Sequence, residues 1–407
     1  MNNKEYLLRR CGWIIQVAES IKDKRNRCLV IDKLNAMNDQ KVVGVVSTSY
    51  PASFRVRYKD IEKDVMVWVK ESKIDYTTPI PYTLVNECKL MGTVIRDMFY
   101  PERRSPHFIF PVAQILTNDK KVNEEEMVRA IENGNKGREA ELCHSKTNEH
   151  LSIFNIMEYA ESYVSFKSLM KDIDLSSEEQ RADLITSVFQ ILYNLTVMEN
   201  MKFRHGDLHL DNILVDIIVE PSKVFKASYI IDEKAAFYVP SMTFTMFIDF
   251  DRSIINTGQY KSIPIPDDYL VSKPCSVKNE SFIDKEDVKR YKTTADLPYG
   301  VVEDCWKTWN PYADLTRFLA HLRIVKPDAL MSLFPESTVK NILTLMGTKP
   351  FGRQSMRELE EDFSPEFLSK CTPREILKQF AAHHPSFIGV IEDQTLINKE
   401  RDHVYYV

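Results

Sequence analysis

The run from His205 to Val215, H-G-D-L-H-L-D-N-I-L-V, constrains the fold of this chain more than any other stretch. Polar groups crowd a loop and then give way at once to branched apolar residues that read as a buried strand. A fold that accepts this run must bury Ile213, Leu214 and Val215 while holding Asp207 and Asn212 at the strand's mouth. An acid and an amide at that spacing can align a hydroxyl and bind a hard metal ion together. A second apolar run, Met246-Phe247-Ile248, ends in Asp249 and is followed by Phe250 and Asp251.

The flanking segments read as helices that deliver these loops. Ser176 with Glu179 has the form of a capping box, and Leu184, Val188, Ile191, Leu192 and Leu195 recur along one face of the helix it opens. That helix stops just ahead of His205. Farther on, Asn310-Pro311 opens an amphipathic helix through Leu319, and Thr372-Pro373 caps another. His205 and His209 are spaced like a helical zinc pair, but a strand follows directly, so His205 is expected as a packed, hydrogen-bonded loop residue. His383 and His384 read as surface.

Composition sets outer limits. A chain of 407 residues fits two or three domains, and 43% hydrophobic with 28% charged is ordinary for a globular protein. The net charge of −5 argues against a chain that coats nucleic acid, a task that calls for a basic surplus on one face. The seven cysteines are scattered and never form C-x-x-C, so they read as reduced thiols inside a cell. No apolar run approaches the roughly 18 residues of a membrane span, and the first residues lack the core of a secretory signal. The expectation is a cytoplasmic protein with no membrane and no direct nucleic-acid partner.

Ahead of the central run, residues 4–22 read as an amphipathic helix, and Cys28–Leu34 with Lys41–Ser47 as the strands of a hairpin. Val65 to Lys70 reads as a strand ending in lysine. Within Tyr82–Tyr100, Val85, Leu90, Val94, Ile95 and Met98 recur at helical spacing, with Glu87 among them. Phe108–Leu116 reads as a strand or strand pair, 117–150 as a polar insertion that is helical around Glu124–Asn133, and Ser152–Ala160 as a strand giving way to a polar crossing. Ala235–Pro240 and Met242–Asp249 read as an extra strand pair, and Arg252–Trp309 is polar and proline-bearing.

In this order, V-M-V-W-V-K ending at Lys70, Glu87, the H-G-D-L-H-L-D-N loop and I-D-F around Asp249 resemble the protein-kinase-like superfamily over most of residues 30–390. The D-L-H step and the extra strands are similar to haspin-type and large-DNA-virus serine/threonine kinases. The resemblance implies an α+β, bilobal fold: a helical extension at 1–29, a β-rich small lobe at 30–158, and a helical lobe at 159–407 with a divergent activation segment near 252–309. It implies ATP and magnesium, and a serine or threonine hydroxyl of a protein as acceptor. Asp207 would take the hydroxyl's hydrogen bond, Asn212 and Asp249 would hold the metal, and Lys70, steered by Glu87, would bind the α- and β-phosphates. Met157 would back the adenine pocket, with backbone groups of Glu158 and Ala160 reading the base edge. Asp314 would be a buried support for the catalytic-loop backbone.

The chain also departs from the family's pattern. Only Gly44 lies where a glycine-rich lid is expected, leaving Asn35, Ala36 and Asn38 to form it. Gly206 replaces an arginine that pairs with an activating phosphate, and Asp251 replaces the glycine of D-F-G. H-G-D-L-H is similar as well to aminoglycoside and choline phosphotransferases, and the poor lid with Asp251 fits a catalytically weak scaffold. Both alternatives stay open at this point.

Overall fold

Runs of branched and aromatic residues between polar links make β1 (Val45–Ser47), β2 (Ala52–Tyr58), β3 (Val65–Ile74), β4 (Pro111–Asn118), β5 (Glu141–His144) and β6 (Leu151–Glu158). The computed structural model describes residues 45–47, 52–58, 65–74, 87, 104–118, 141–144, 151–158, 163–217, 225–250, 253–257, 260–261, 310–347, 356–392, 394 and 404–407. The six strands form one sheet in the order β1-β2-β3-β6-β4-β5, antiparallel except for the parallel pair β4 and β5. β3 therefore lies inside the sheet, with Lys70 between Ser53 of β2 and Asn155 of β6.

Of the expected hairpin the sheet holds part of one strand. Residues 28–34, like the expected lid at Asn35, Ala36 and Asn38, fall outside the described residues; the described part of Lys41–Ser47 is β1, which pairs antiparallel with β2. Phe54, Val56 and Tyr58 alternate with Ser53, Arg55 and Arg57, a period-two strand that its arginines and Pro51 hide from a search for apolar runs. The polar insertion contributes β5. The helix expected at Glu124–Asn133 and the one at residues 4–22 lie outside the described residues, and of Tyr82–Tyr100 only Glu87 is described, in helical conformation.

The remaining chain continues with β7 (Tyr163–Ser165), α1 (Phe166–Asp172), α2 (Glu178–Asn200), β8 (Phe203–Arg204), β9 (Ile213–Ile217), β10 (Phe225–Asp232), β11 (Ala235–Ser241), β12 (Thr243–Phe247), β13 (Ile254–Thr257) and β14 (Tyr260–Lys261). Helices α3 (Pro311–Val325), α4 (Pro327–Leu333), α5 (Glu336–Gly347), α6 (Met356–Asp362), α7 (Pro365–Ser369) and α8 (Pro373–His383) follow, then short strands β15 (Gly389–Val390) and β16 (Val404–Tyr406). Proline at the first turn of α3, α7 and α8 follows a side-chain cap from Asn310, Ser364 and Thr372, because that turn has no use for the missing N–H. The cap of α2 is Ser177, whose hydroxyl accepts from Gln180, one residue beyond the expected Ser176. Ser176 instead donates to Asp174 at 2.7 Å.

Two further expectations change here. β11 and β12 are not partners: β11 pairs with β10, while β12 pairs with β9. The reason is Ser241, whose hydroxyl donates to the carbonyl of Thr243 at 2.8 Å and accepts from its amide at 3.1 Å, turning the chain from one sheet into another. His384 is buried, not surface: one ring nitrogen lies 2.8 Å from the carbonyl of Leu333, while His383 is exposed.

By internal contacts the chain divides into two compact units: the described residues of 4–99 and 109–161 form one, and those of 100–108 and 162–407 the other. The segment 104–108 is held in the second unit by polar side chains of α2, a helix buried on all sides from Leu184 to Met198. Asn194 accepts from Ser105 at 2.8 Å and donates to the carbonyl of His107 at 3.1 Å, and the Tyr193 hydroxyl donates to the carbonyl of Arg104 at 2.7 Å. Gln190 works likewise on β12, donating to Thr243 and accepting from Thr245. A helix can bury such residues because each amide or hydroxyl replaces a hydrogen bond to water that burial removes. Among the described residues no helix is long and apolar enough to cross a membrane.

Candidate functional site

The loop 205–212 is built on α3. Asp314, 5% exposed in the first turn, accepts from the amide of His205 at 2.6 Å and from that of Gly206 at 3.0 Å. Gly206 has φ 79°, a conformation that residues with a side chain rarely adopt. One turn later Arg317 donates to the carbonyl of Gly206 at 3.0 Å and to Asp207 Oδ1 at 2.6 Å. A carboxylate and a guanidinium on one helix face thus grip the N–H groups and the C=O of the same short loop.

His205 ties this loop to the turn at Asp249. The amide of Asp207 donates to its Nδ1 at 3.3 Å, which places the ring proton on Nε2, 2.8 Å from the carbonyl of Ile248. Pairing of β9 with β12 runs to Ile213 opposite Phe247, and beyond it the amide of Ile248 donates to the carbonyl of Asn212 at 3.0 Å. Asp249 then takes φ 66°, a left-handed conformation that costs an ordinary residue about 1–2 kcal/mol. What holds it there is Phe250, fully buried and packed against the His205 ring at 5.0 Å and Phe203 at 6.1 Å. Ser253 closes the turn, its amide donating to Phe250 at 3.1 Å and its hydroxyl to His205 at 2.8 Å. A strained polar residue held by a surrounding apolar cluster is the pattern of a functional position.

Asn212 completes this group. Its Nδ2 donates to the carbonyl of Asp207 at 2.9 Å, so its Oδ1 is turned to the opposite side. The structure therefore brings together Asp207, Asn212 and Asp249, three of the residues singled out in the sequence. Asn212 and Asp249 supply oxygen donors, which suit a hard divalent ion that keeps waters and binds phosphate. Among the described residues no three His, Cys, Asp or Glu side chains form a metal-holding group, the kind of cage that structural zinc uses.

Within the loop, His209 accepts from the amide of Asp211 at 3.2 Å, and Lys167 of α1 pairs with Asp211 at 2.8 Å. The His209 ring stacks on that of His321 at 6.1 Å. Burial lowers the pKa of His209, a shift that Asp207 opposes and Arg317 reinforces. His321 is 1% exposed, and neither ring nitrogen has a hydrogen-bond partner among the described residues. Burial, then Arg317, His209 and Lys167, hold it well below the usual histidine range.

In the other unit Lys70 Nζ lies 3.0 and 2.9 Å from the two carboxylate oxygens of Glu87, whose side chain is 2% exposed. Met157 is buried in β6 opposite Trp68 and Pro111. Glu158 is 3% exposed and its amide donates to the carbonyl of Phe110 at 3.0 Å, so its N–H is committed within the unit. Ala160 and Asp251 lie outside the described residues, as does most of 252–309; of that stretch Ser253, β13 and β14 are described, and β13 pairs with β8 and with β14.

Sequence reasoning missed Arg317, His321 and the 104–108 anchor. Arg317 had a legible signal: it stands three residues after Asp314 on a helix, hence on the same face. His321 follows at the next turn. Nothing in the 104–108 sequence marks it for burial, since its partners Tyr193 and Asn194 are recognisable only in three dimensions. No family model matches the chain, and no curated protein matches it.

Proposed function

We propose that this chain is a bilobal, protein-kinase-like phosphotransferase that moves the terminal phosphoryl group of ATP to a serine or threonine hydroxyl of a protein. The observation that carries the reading is the bonded series from Asp207 to Asn212 to Ile248, which runs directly into the left-handed Asp249. Phosphoryl transfer asks a protein for alignment and charge rather than covalent chemistry, and this cluster is equipped for both.

In this reading Asp207 accepts the hydrogen bond of the attacking hydroxyl and takes its proton as the new O–P bond forms and the bond from the γ-phosphorus to its bridging oxygen breaks, releasing ADP. Asn212 and Asp249 would hold magnesium, which would supply charge neutralisation on the phosphates. Lys70 binds the α- and β-phosphates, its ammonium steered by both oxygens of Glu87. Met157 backs the adenine, with the carbonyl of Glu158 and the backbone of Ala160 on the base edge. His205 and Asp314 keep the loop in register and touch no substrate. The H-G-D-L-H sequence supports a second reading, phosphorylation of a small alcohol or aminoglycoside.

The test uses the purified full chain with magnesium and ATP labelled on its terminal phosphate, offered protein mixtures and, separately, a panel of small alcohols and aminoglycosides. Label on serine or threonine that disappears in Asp207→Asn supports the protein-kinase reading. Label on small acceptors alone selects the second. ATP binding without transfer to any acceptor identifies a scaffold and overturns both.

A further inference from the structure

We propose that Arg317 is a positioning residue for the transfer step, holding the Asp207 carboxylate in the orientation that meets the incoming hydroxyl; this rests on the phosphotransferase reading above. The guanidinium uses two different nitrogens, one 2.6 Å from Asp207 Oδ1 and one 3.0 Å from the carbonyl of Gly206. It therefore fixes the side chain relative to its own backbone rather than merely neutralising it. Both partners are largely withdrawn from solvent, with side-chain exposures of 16% for Arg317 and 7% for Asp207, so water competes weakly for the contact.

The sequence explains why the cation comes from a helix. Gly206 holds φ 79°, where an L side chain would be strained, so the loop itself has no place for an arginine beside the acid. Arg317 reaches the same spot from α3, one turn beyond Asp314, which already holds the amides of His205 and Gly206. A lysine cannot substitute fully, because an ammonium is a point charge and lacks the planar fork that spans a carbonyl and a carboxylate. A carboxylate offers about four lone-pair positions. Engaging one of them at Oδ1 sets the carboxylate's rotation and thereby the direction in which the rest accept.

The test measures steady-state transfer by wild type, Arg317→Ala, Arg317→Lys, Asp207→Asn and the Asp207→Asn/Arg317→Ala double variant, each checked for folding by thermal melting. Misplacing a reacting group by about 1 Å costs on the order of 10²-fold. Arg317→Ala is therefore expected to lower kcat by roughly that factor, with KM for ATP within about twofold, and Arg317→Lys to recover part of it. In the double variant, loss of Arg317 should cost nothing beyond Asp207→Asn, since a positioned group that is gone needs no positioning. Wild-type kcat in folded Arg317→Ala, or an Arg317→Ala loss undiminished in the Asp207→Asn background, overturns the proposal and leaves the phosphotransferase reading intact. A wild-type chain that transfers no phosphoryl group overturns that reading, and the role of Arg317 with it.

Discussion

The amide of Ile248 donates to the carbonyl of Asn212 at 3.0 Å, and together with the His205 ring on the Ile248 carbonyl this bond registers the Asp249 turn against the loop that carries Asp207. Because Asp249 follows directly at φ 66°, strain is concentrated where the proposed metal ligand stands. Asp249→Gly should relieve it. The variant is expected to gain about 1 kcal/mol in urea unfolding while losing its response to magnesium–ATP. A destabilised Asp249→Gly would show that the turn carries no strain worth relieving.

Asp314 holds two buried amides, those of His205 and Gly206. Stripping both acceptors at once leaves two N–H groups unsatisfied in a site without ready access to water. Asp314→Ala should therefore lose about 3 kcal/mol of stability and most of its turnover. Asp314→Asn keeps one acceptor oxygen and should sit between. A loss under about 1 kcal/mol would mean that the loop is anchored elsewhere.

Lys70 and Glu87 form a pair in which the glutamate side chain is 2% exposed and the lysine 12%. Removing one partner strands the other in a poorly solvated site, at a cost of about 3–5 kcal/mol. Glu87→Ala and Lys70→Ala should each destabilise markedly, and the double variant should be less unstable than the sum. Strict additivity of the two losses would remove the coupling on which the steering of Lys70 depends.

His321 sets a pH dependence. Its folded pKa lies well below 6.5, with burial as the main cause, and His209 and His384 are lowered by burial too. The unfolded chain binds these protons as pH drops below about 6.5 while the folded chain resists them. Their contribution to stability is therefore complete above that pH and lost as pH falls through the folded values. The urea midpoint should decline from pH 7.5 to pH 5, and His321→Phe should flatten that decline. An unchanged slope in His321→Phe would assign the effect to other groups.

What the sequence disclosed and what it concealed follow a physical division. Local chemistry was legible: Pro311 after Asn310, Pro373 after Thr372, and the branched runs of β3, β6 and β9 all announce themselves within a few residues. The loop 205–212 was legible because polar groups at fixed spacing beside an apolar strand leave few uses for them. Arg55 and Arg57 disguised β2, since a strand with one polar face lacks a continuous apolar run. Ser241 rerouted β11 away from β12 through two hydrogen bonds that no periodicity encodes. His384 looked like surface because its acceptor, the Leu333 carbonyl, lies 51 residues away in the chain. The partners of Arg317 are 110 and 111 residues distant, and only its place one turn after Asp314 pointed to them.

The proposed function requires Lys70 and Asp249 to serve one nucleotide and its metal. Calorimetric titration of the full chain with ATP, with and without magnesium, addresses it most directly. The account predicts saturable binding that magnesium strengthens in wild type, loses its magnesium dependence in Asp249→Asn, and weakens about tenfold or more in Lys70→Met. Binding that is absent in wild type, or identical in all three proteins, would contradict it.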